Sequence, residues 1–417
     1  MVAMPKQNVP TLRLEGFNGE WSQSVLGSFA RKVNEKNVDL SVAETFTNSA
    51  EKGVISQTEY FKHQVSNDMN LGGYYVVQPN DFIYNPRIST GAPVGPINRN
   101  KLERVGVVSP LYTVFRISLI DHSFLDWFFK SPYWHGFMRE NGDSGARGDR
   151  LSIGQDLFFQ MLVATPPTFE EQQAIGAIFT NLDAAINQHM LKHKALQQAK
   201  TALMQRMFPQ EGQTVPELRL EGFSGEWEET TLGELGAFRS GVGFPEREQG
   251  GTIGLPFYKV SDLSAPGNEL QLQSANHYVT EGQIVRNHWT PVTAVPAILF
   301  AKVGAAVFLG RKRLVNNAFL LDNNLMAFSL NTESWDVQFA DTYLKTVDLT
   351  QFAQSGALPS LNARHLAEAE AIIPPTLEEQ QAIGAIFTKL DQLIAAEAQY
   401  IASLKQAKTA LLQRMFI

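Results

Sequence analysis

The stretch PPTFEEQQAIGAIFT, residues 166–180, recurs as PPTLEEQQAIGAIFT at residues 374–388, an offset of 374 − 166 = 208. The same offset joins LQQAKTALMQRMF, residues 196–208, to LKQAKTALLQRMF, residues 404–416. A third match, PTLRLEGFNGEW from Pro10 and PELRLEGFSGEW from Pro216, is offset by 216 − 10 = 206. The chain therefore consists of two copies of one unit. A repeat of this length indicates the overall architecture before any single helix or strand is assigned.

The first matched block predicts the start of a long helix in each copy. Thr168 and Thr376 are suited to cap the helix N-terminus, and Glu171 and Glu379 follow at the spacing of a capping box. No proline interrupts the first helix before Pro209, and none interrupts the second. Each helix is predicted to run for about 40 residues, or roughly 60 Å.

Apolar residues recur every seven positions in both helices, which indicates a coiled-coil seam. The seam is interrupted at His189 and Glu397, which are equivalent because 397 − 189 = 208. In an antiparallel pair these two would meet near the centre, where a polar pair can fix register and orientation. His189 and His193 share a helix face, but no third ligand lies nearby, so the spacing favours a seam over zinc. The predicted seam comprises Ile175, Phe179, Leu182, Ile186, His189, Leu196 and Leu203, with Ile383, Phe387, Leu390, Ile394, Glu397, Leu404 and Leu411.

Residues 28–160 and 234–370 share almost no sequence, although the two segments are nearly equal in length. Matched segments must meet equivalent partners or each other, whereas diverged segments are free to meet two different targets. A tandem duplication decaying without purpose is the alternative, but random decay would not preserve one block and erase its neighbour.

Bulk composition sets limits on location and partners. The 417 residues include no cysteine, which excludes disulfides and thiolate metal sites. The N-terminus lacks the apolar core of a signal peptide, and the most apolar stretch, Ala294–Gly310, is interrupted and strand-like. We therefore expect a cytoplasmic protein with no membrane partner. A net charge of −7 argues against indiscriminate coating of nucleic acid but leaves room for local basic patches.

The repeated blocks resemble the specificity subunits of type I restriction-modification systems over essentially the whole chain. The residues that carry this resemblance are ATPPTFEEQQAIGAIF and IIPPTLEEQQAIGAIF, the domain openings GEWSQSVLGSF and GEWEETTLGEL, and LPSLNARHLAEAEAIIPP before the second helix. The first domain departs from that last pattern and reads GARGDRLSIGQDLFFQMLVATPP.

The resemblance implies an α+β fold with a pseudo-twofold internal repeat. Two globular mixed α/β target recognition domains would be separated by two long helices that form an antiparallel coiled coil. The predicted parts are recognition domain 1 (10–165), helical region 1 (166–208), a linker (209–215), recognition domain 2 (216–373) and helical region 2 (374–417).

As function, the resemblance implies a non-catalytic DNA-specificity subunit of a restriction-modification complex. Each recognition domain would read one half of a bipartite, asymmetric target in double-stranded DNA, and the helix pair would set the spacer. The chain would dock two methyltransferase subunits, and these would recruit two restriction subunits. It would bind no cofactor and no metal itself, with S-adenosylmethionine, Mg²⁺ and ATP bound by the partner subunits.

Candidate DNA contacts are Arg, Lys and Asn residues in segments rich in glycine and proline, where the backbone can approach a duplex. The densest basic run is Arg311, Lys312 and Arg313, and for any single residue a solvated surface charge is an equal alternative. The candidates in recognition domain 1 are Arg87, Asn98, Arg99, Lys101, Arg104, Arg147 and Arg150. Those in recognition domain 2 are Arg239, Arg247, Lys302, Arg311, Lys312, Arg313, Asn316 and Asn317.

Catalytic motifs are missing from the sequence. YNPR, residues 84–87, departs from the Asn-Pro-Pro-aromatic site of amino-methyltransferases, and no P-loop, His-Glu-x-x-His or Gly-x-Ser-x-Gly motif occurs. Three alternatives stay open: a free-standing nuclease or methyltransferase, a stand-alone DNA-binding protein, and a coiled-coil scaffold without restriction-modification partners.

Overall fold

The structure is a computed structural model that describes residues 8–60, 68–144, 148–354 and 359–417. It divides into two compact units. Unit 1 contains residues 1–189 and 400–417, and unit 2 contains residues 190–399. Each unit therefore combines one diverged segment with parts of both long helices. None of the helices in the described ranges has the length and apolar character needed to cross a bilayer.

Unit 1 is built on a four-stranded antiparallel sheet of order β2-β9-β6-β7, with the smaller pairs β1-β10, β3-β4 and β5-β8. Its strands are β1 Ser22–Val25, β2 Ala30–Lys32, β3 Phe46–Ser49, β4 Gly53–Ser56, β5 Tyr75–Val77, β6 Phe82–Tyr84, β7 Ile97–Arg99, β8 Gly106–Val108, β9 Thr113–Ile117 and β10 Leu162–Thr165. Its helices are α1 Gln57–Tyr60, α2 His122–Phe128, α3 His135–Asn141, α4 Gln155–Phe158 and the first part of α5 Phe169–Met207, with 3₁₀ turns Leu26–Ser28 and Asp68–Gly73.

Unit 2 repeats the four-stranded antiparallel sheet in the order β12-β18-β15-β16 and adds β11-β21, β14-β13-β17 and β19-β20. Its strands are β11 Glu228–Thr231, β12 Gly236–Ser240, β13 Leu255–Tyr258, β14 Tyr278–Val279, β15 Ala297–Ala301, β16 Lys312–Val315, β17 Leu320–Leu321, β18 Leu325–Leu330, β19 Ala353–Gln354, β20 Ser360–Leu361 and β21 Glu370–Ile373. Its helices are α6 Leu232–Leu235, α7 Glu281–Arg286, α8 Val337–Thr346, α9 Ala363–Ala367 and most of α10 Leu377–Arg414, with 3₁₀ turns Glu246–Glu248, Val260–Ser264, Ala305–Leu309 and Leu349–Phe352.

The two long helices predicted from the repeat are present as α5 and α10, with 39 and 38 residues. The hydroxyls of Thr168 and Thr376 accept hydrogen bonds from the backbone N–H groups of Glu171 and Glu379 at 3.2 and 3.4 Å. These bonds satisfy N–H groups that have no partner within the helix, which is why both helices begin where the Thr stands.

The end of each long helix contributes to the core of a unit. In unit 1, Phe416 stacks on Phe179 with ring centroids 5.8 Å apart. In unit 2, Phe208 packs on Phe387 at the same centroid distance. Because 416 − 208 and 387 − 179 both equal 208, these are equivalent contacts of the repeat. Each core therefore contains the beginning of one long helix and the residues that follow the other.

Candidate nucleic-acid interface

A buried arginine–glutamate clamp joins the repeated block that precedes each diverged segment to a long helix. In unit 1, Arg13 Nε lies 2.8 Å from Glu171 Oε1 and Nη2 lies 2.7 Å from Oε2. In unit 2, Arg219 makes the same two contacts with Glu379 at 2.8 and 2.7 Å. The carboxylate side chains are 0% and 2% exposed, so these are desolvated bidentate pairs.

The spacing of the predicted capping box is occupied as follows. The backbone N–H groups of Glu171 and Glu379 bond to the Thr hydroxyls, and their carboxylates contact the arginines. Sequence reasoning did not single out Arg13 and Arg219. The available signal was their place in the repeated LRLEGF block.

The next residue of each helix positions the helix that follows the four-stranded sheet. Gln172 Oε1 accepts the backbone N–H of Asp121 at 2.9 Å, and Gln380 Oε1 accepts that of Asp336 at 2.8 Å. Both aspartates are N-caps, Asp121 of α2 and Asp336 of α8. The repeated Glu-Gln pair therefore fixes the same elements against the long helix in both units.

A glycine in each long helix allows α2 or α8 to approach that helix closely. A Cβ added at Gly176 would lie 2.7 Å from Ser123 Cβ, and one added at Gly384 would lie 2.6 Å from the backbone nitrogen of Phe339. Both distances are too short for a side chain. The one glycine in each long helix therefore stands where the N-terminus of α2 or α8 crosses it.

In unit 1, two of the candidate basic loops meet at the end of the sheet. The β6–β7 loop pairs with residues 149–151, since Ile88 N donates to Asp149 O at 3.0 Å and Leu151 N donates to Pro86 O at 2.8 Å. Arg87 and Arg150 face each other across this bridge, and both are exposed. Arg147 precedes that segment and lies outside the described residues.

In unit 2, the corresponding β15–β16 loop pairs with the segment that begins at Pro359. Gly304 N donates to Pro359 O at 2.9 Å, and Leu361 N donates to Lys302 O at 2.9 Å. Two half-buried candidates flank this loop. Lys302 Nζ donates to Ser240 Oγ at 3.0 Å, and Arg311 Nη1 donates to Ser264 Oγ at 2.9 Å. Each unit therefore places one sheet hairpin and one later loop at a shared edge with basic side chains.

Asn98 and Lys312 were predicted in DNA-facing loops, and the structure corrects both predictions. Asn98 lies on β7 with 2% exposure, and Lys312 lies on β16 with 5% exposure. These edge strands contact α2 and α8, so the two side chains point into the interior. Lys312 Nζ donates to Val347 O at 2.8 Å, and burial lowers the pKa of its amine to about 8. Buried in this way, they do not contribute to a DNA-facing surface.

Several other candidates already have protein partners. Arg104 makes a bidentate ion pair with Glu44 at 2.8 Å, and Lys101 Nζ lies 2.6 Å from Asp126. Arg239 donates to the carbonyls of Thr290 and Pro291. The two ion pairs reduce the charge available to a phosphate, and the carbonyl bonds occupy donors of Arg239. Arg99 and Arg313 are half-buried, whereas Arg247, Asn316 and Asn317 are exposed. Their contacts with DNA stay predictions.

The predicted seam residues are all buried or half-buried. The two polar residues at the centre of the seam each contact the other long helix. Within unit 2, Glu397 Oε2 lies 2.9 Å from Lys192 Nζ. Within unit 1, the His189 ring packs edge-on against Tyr400 with ring centroids 4.6 Å apart. The role of the His189 and Glu397 pair in fixing register stays a prediction. In the described ranges, no cluster of three or more His, Asp and Glu side chains could hold a metal ion.

Comparison with known proteins shows which sequences and structures the chain is similar to. Residues 224–406 match the family model described as the type I restriction modification DNA specificity domain. This match confirms the resemblance to type I specificity subunits over that part of the chain.

Solved structures show the fold over almost the whole length. The S subunit of a type I restriction-modification system from M. genitalium is 15% identical, with 98% of this chain and 99% of that chain covered and a TM-score of 0.61. A chain from work on complex assembly and conformational transition of the type I R-M system is 17% identical, with 97% and 99% covered and a TM-score of 0.55. No curated protein sequence matches the chain.

Proposed function

We propose that this chain is the non-catalytic specificity subunit of a type I restriction-modification complex and that each recognition domain reads one half of a bipartite target. The observation that carries the proposal is the identical clamp in both units. Arg13–Glu171 and Arg219–Glu379 fix the repeated opening block to the long helix in the same way. The four-stranded sheets of the two units have the same strand order, while the loops at the sheet edges differ. A common frame with different loops suits the reading of two different half-sites.

We further propose that α5 and α10 form an antiparallel coiled coil that sets the distance between the half-sites. Contacts inside each unit support it. In unit 1, Asp183 lies 2.5 Å from Lys408 Nζ and His189 packs on Tyr400. In unit 2, Lys192 pairs with Glu397 and Lys200 pairs with Asp391. As the residue number rises along α5, it falls along α10, so the two segments run in opposite directions in both units.

The partners and the location of catalysis follow from the same proposal. The pseudo-twofold repeat offers two quasi-equivalent docking surfaces for two methyltransferase subunits, which recruit two restriction subunits. S-adenosylmethionine, Mg²⁺ and ATP act in those partners, and the chain works in the cytoplasm where the complex meets host and foreign DNA. A stand-alone DNA-binding or scaffold protein is the alternative, and it would need no such partners.

One heptad inserted into both helices tests the proposed spacer. Insertion after Leu191 and after Gln399 keeps the repeat in step, because 399 − 191 = 208. Seven residues add about 10 Å, near three base pairs at 3.4 Å each. We expect the complex with methyltransferase subunits to methylate the same two half-sites, now about three base pairs further apart, as mapped by sequencing of methylated adenines.

A heptad inserted into α5 alone is the matched control, and it should abolish methylation because the seam loses its register. Changed half-sites with an unchanged gap would refute the spacer. If wild-type chain binds no methyltransferase subunit and directs no methylation, the alternative function is correct.

A further inference from the structure

The 3₁₀ turn in the β15–β16 loop carries two large apolar side chains that face solvent. Phe308 is 66% exposed and Leu309 is 57% exposed. The residue before them, Val307, is 3% exposed and belongs to the core of unit 2. The turn is therefore anchored at its base and presents a phenylalanine and a leucine at its tip.

Backbone hydrogen bonds hold this tip in place. Gly304 N donates to Pro359 O, Val307 N donates to Gly304 O at 3.0 Å, and Gly310 N donates to Val307 O at 3.1 Å. Gly304 and Gly310 have φ of 79° and 58°, conformations that residues with a side chain rarely adopt. The two glycines allow the tight turn at both ends, so Phe308 and Leu309 are displayed by a defined backbone.

The surroundings of the tip favour an anionic partner. Lys302 stands on one side of the turn and Arg311 on the other, in a chain whose net charge is −7. DNA-bending proteins use the same combination, in which cations hold the phosphates and an apolar wedge enters between base pairs. The core of a protein–protein interface is, in contrast, depleted of lysine.

The equivalent loop of unit 1 lacks this feature. Between Asn85 and Pro96, all of which the structure describes, the exposed residues are Arg87, Ser89, Thr90, Gly91 and Pro93. No exposed aromatic or leucine side chain occurs in that range. The two recognition domains therefore differ in whether this hairpin presents an apolar tip.

We propose that Phe308, with Leu309 beside it, inserts between bases of the half-site read by recognition domain 2 and unstacks one base step there. This inference rests on the proposed function, because it presumes that the β15–β16 loop faces DNA. It assigns a distortion of the duplex to one half-site only.

The test uses the full chain assembled with its methyltransferase subunits and a target duplex defined by mapping methylated adenines. 2-Aminopurine replaces one base at a time, and its fluorescence rises when it is unstacked. We expect a rise at one step in the domain 2 half-site and none in the other half-site. Phe308→Ser should abolish the rise and weaken target binding by roughly tenfold, within the range for loss of one aromatic stack on a base. Leu309→Ser should reduce both effects.

Two control variants separate the wedge from general effects. Ile253→Ser removes an 80% exposed apolar side chain elsewhere in unit 2 and should leave the signal and the affinity unchanged. Phe308→Tyr keeps the aromatic ring and should retain the rise.

The outcomes also distinguish a failure of the wedge proposal from a failure of the proposed function. Unchanged binding and fluorescence in Phe308→Ser would overturn the wedge while the specificity function stands. Loss of methyltransferase assembly in Phe308→Ser would make the tip a protein contact and would likewise overturn it. Failure of the wild-type complex to prefer its target would instead refute the proposed function.

Discussion

The clamp and the sheet edge of each unit show opposite kinds of repetition. Arg13–Glu171 and Arg219–Glu379 make the same two contacts at the same distances, 2.8 and 2.7 Å. At the edge strands β7 and β16, in contrast, the lysine that donates a hydrogen bond comes from different elements in the two units. Lys130, just after α2, donates to Asn98 on β7 in unit 1, whereas in unit 2 Lys312 on β16 donates to the carbonyl that follows α8.

This difference shows which parts of the repeated sequence were held constant by a contact with another repeated part. The clamp joins two segments that are both repeated, so a change in either one would leave its partner unmatched in that copy. The edge strands belong to the diverged segments, where either the strand or the chain after the helix can supply the lysine. Loss of solvation around the amine lowers the pKa of Lys130 and of Lys312.

The largest expected effect comes from breaking the clamp. Arg219→Met leaves the carboxylate of Glu379 buried without its cation, which costs about 3–5 kcal/mol of the free energy of unfolding. Arg13→Met should lower the free energy of unfolding of unit 1 by a similar amount, because the clamp there has the same geometry. Urea unfolding followed through the tryptophans, with hydrogen exchange to assign each transition to a unit, measures both losses.

An exposed ion pair provides the control for the clamp. Arg364 and Glu368 form a pair whose side chains are 85% and 61% exposed, so Arg364→Met should cost at most about 0.5 kcal/mol. The double variant Arg219→Met with Glu379→Leu should recover much of the loss, since no charge is left buried. A loss in one unit but not in the other would show that the clamps are not equivalent.

An intermediate effect is expected at the helix crossings. Gly384→Ala and Gly176→Ala each place a methyl group against backbone or side-chain atoms less than 3 Å away. Such overpacking costs about 1–3 kcal/mol, although alanine is the better helix former. Thermal unfolding of both variants should give similar decreases in Tm.

Whether a Gly→Ala change lowers or raises the stability distinguishes crowding from helix propensity. Gly136 lies in α3, and a Cβ there would meet nothing within 4 Å. Gly136→Ala should therefore be neutral or raise the stability by up to about 1 kcal/mol. If Gly384→Ala also stabilised the protein, α8 would not pack on α10 as closely as described.

The sequence was sufficient for the parts of the molecule that repeat and insufficient for the parts that do not. The long helices and their Thr caps follow from local chemistry, because the cap, the first-turn glutamates and the lack of a breaker lie within a few residues. The partner of Glu171 could not be found in this way, since Arg13 is 158 residues away. For the same reason Lys312 was predicted on a loop: a basic run with neighbouring glycines suits an exposed turn, and only the tertiary contact with α8 buries it.

The smallest expected effect concerns Lys312 and depends on pH. Its pKa in the folded protein is about 8, against 10.5 for an unperturbed lysine, so between these values the unfolded chain binds more protons. The contribution of Lys312 to the stability of the wild type therefore rises as pH increases from 8 towards 10.5. Lys312→Met removes the buried charge but leaves the Val347 carbonyl without its donor, and we expect a net gain of about 1 kcal/mol at pH 7. Urea unfolding at pH 7 and pH 10 should show this gain shrinking at the higher pH, where the wild-type amine is neutral. Lys389→Met, at an exposed lysine of α10, should show no such dependence, and a gain that is constant with pH would mean that Lys312 is not buried as a cation.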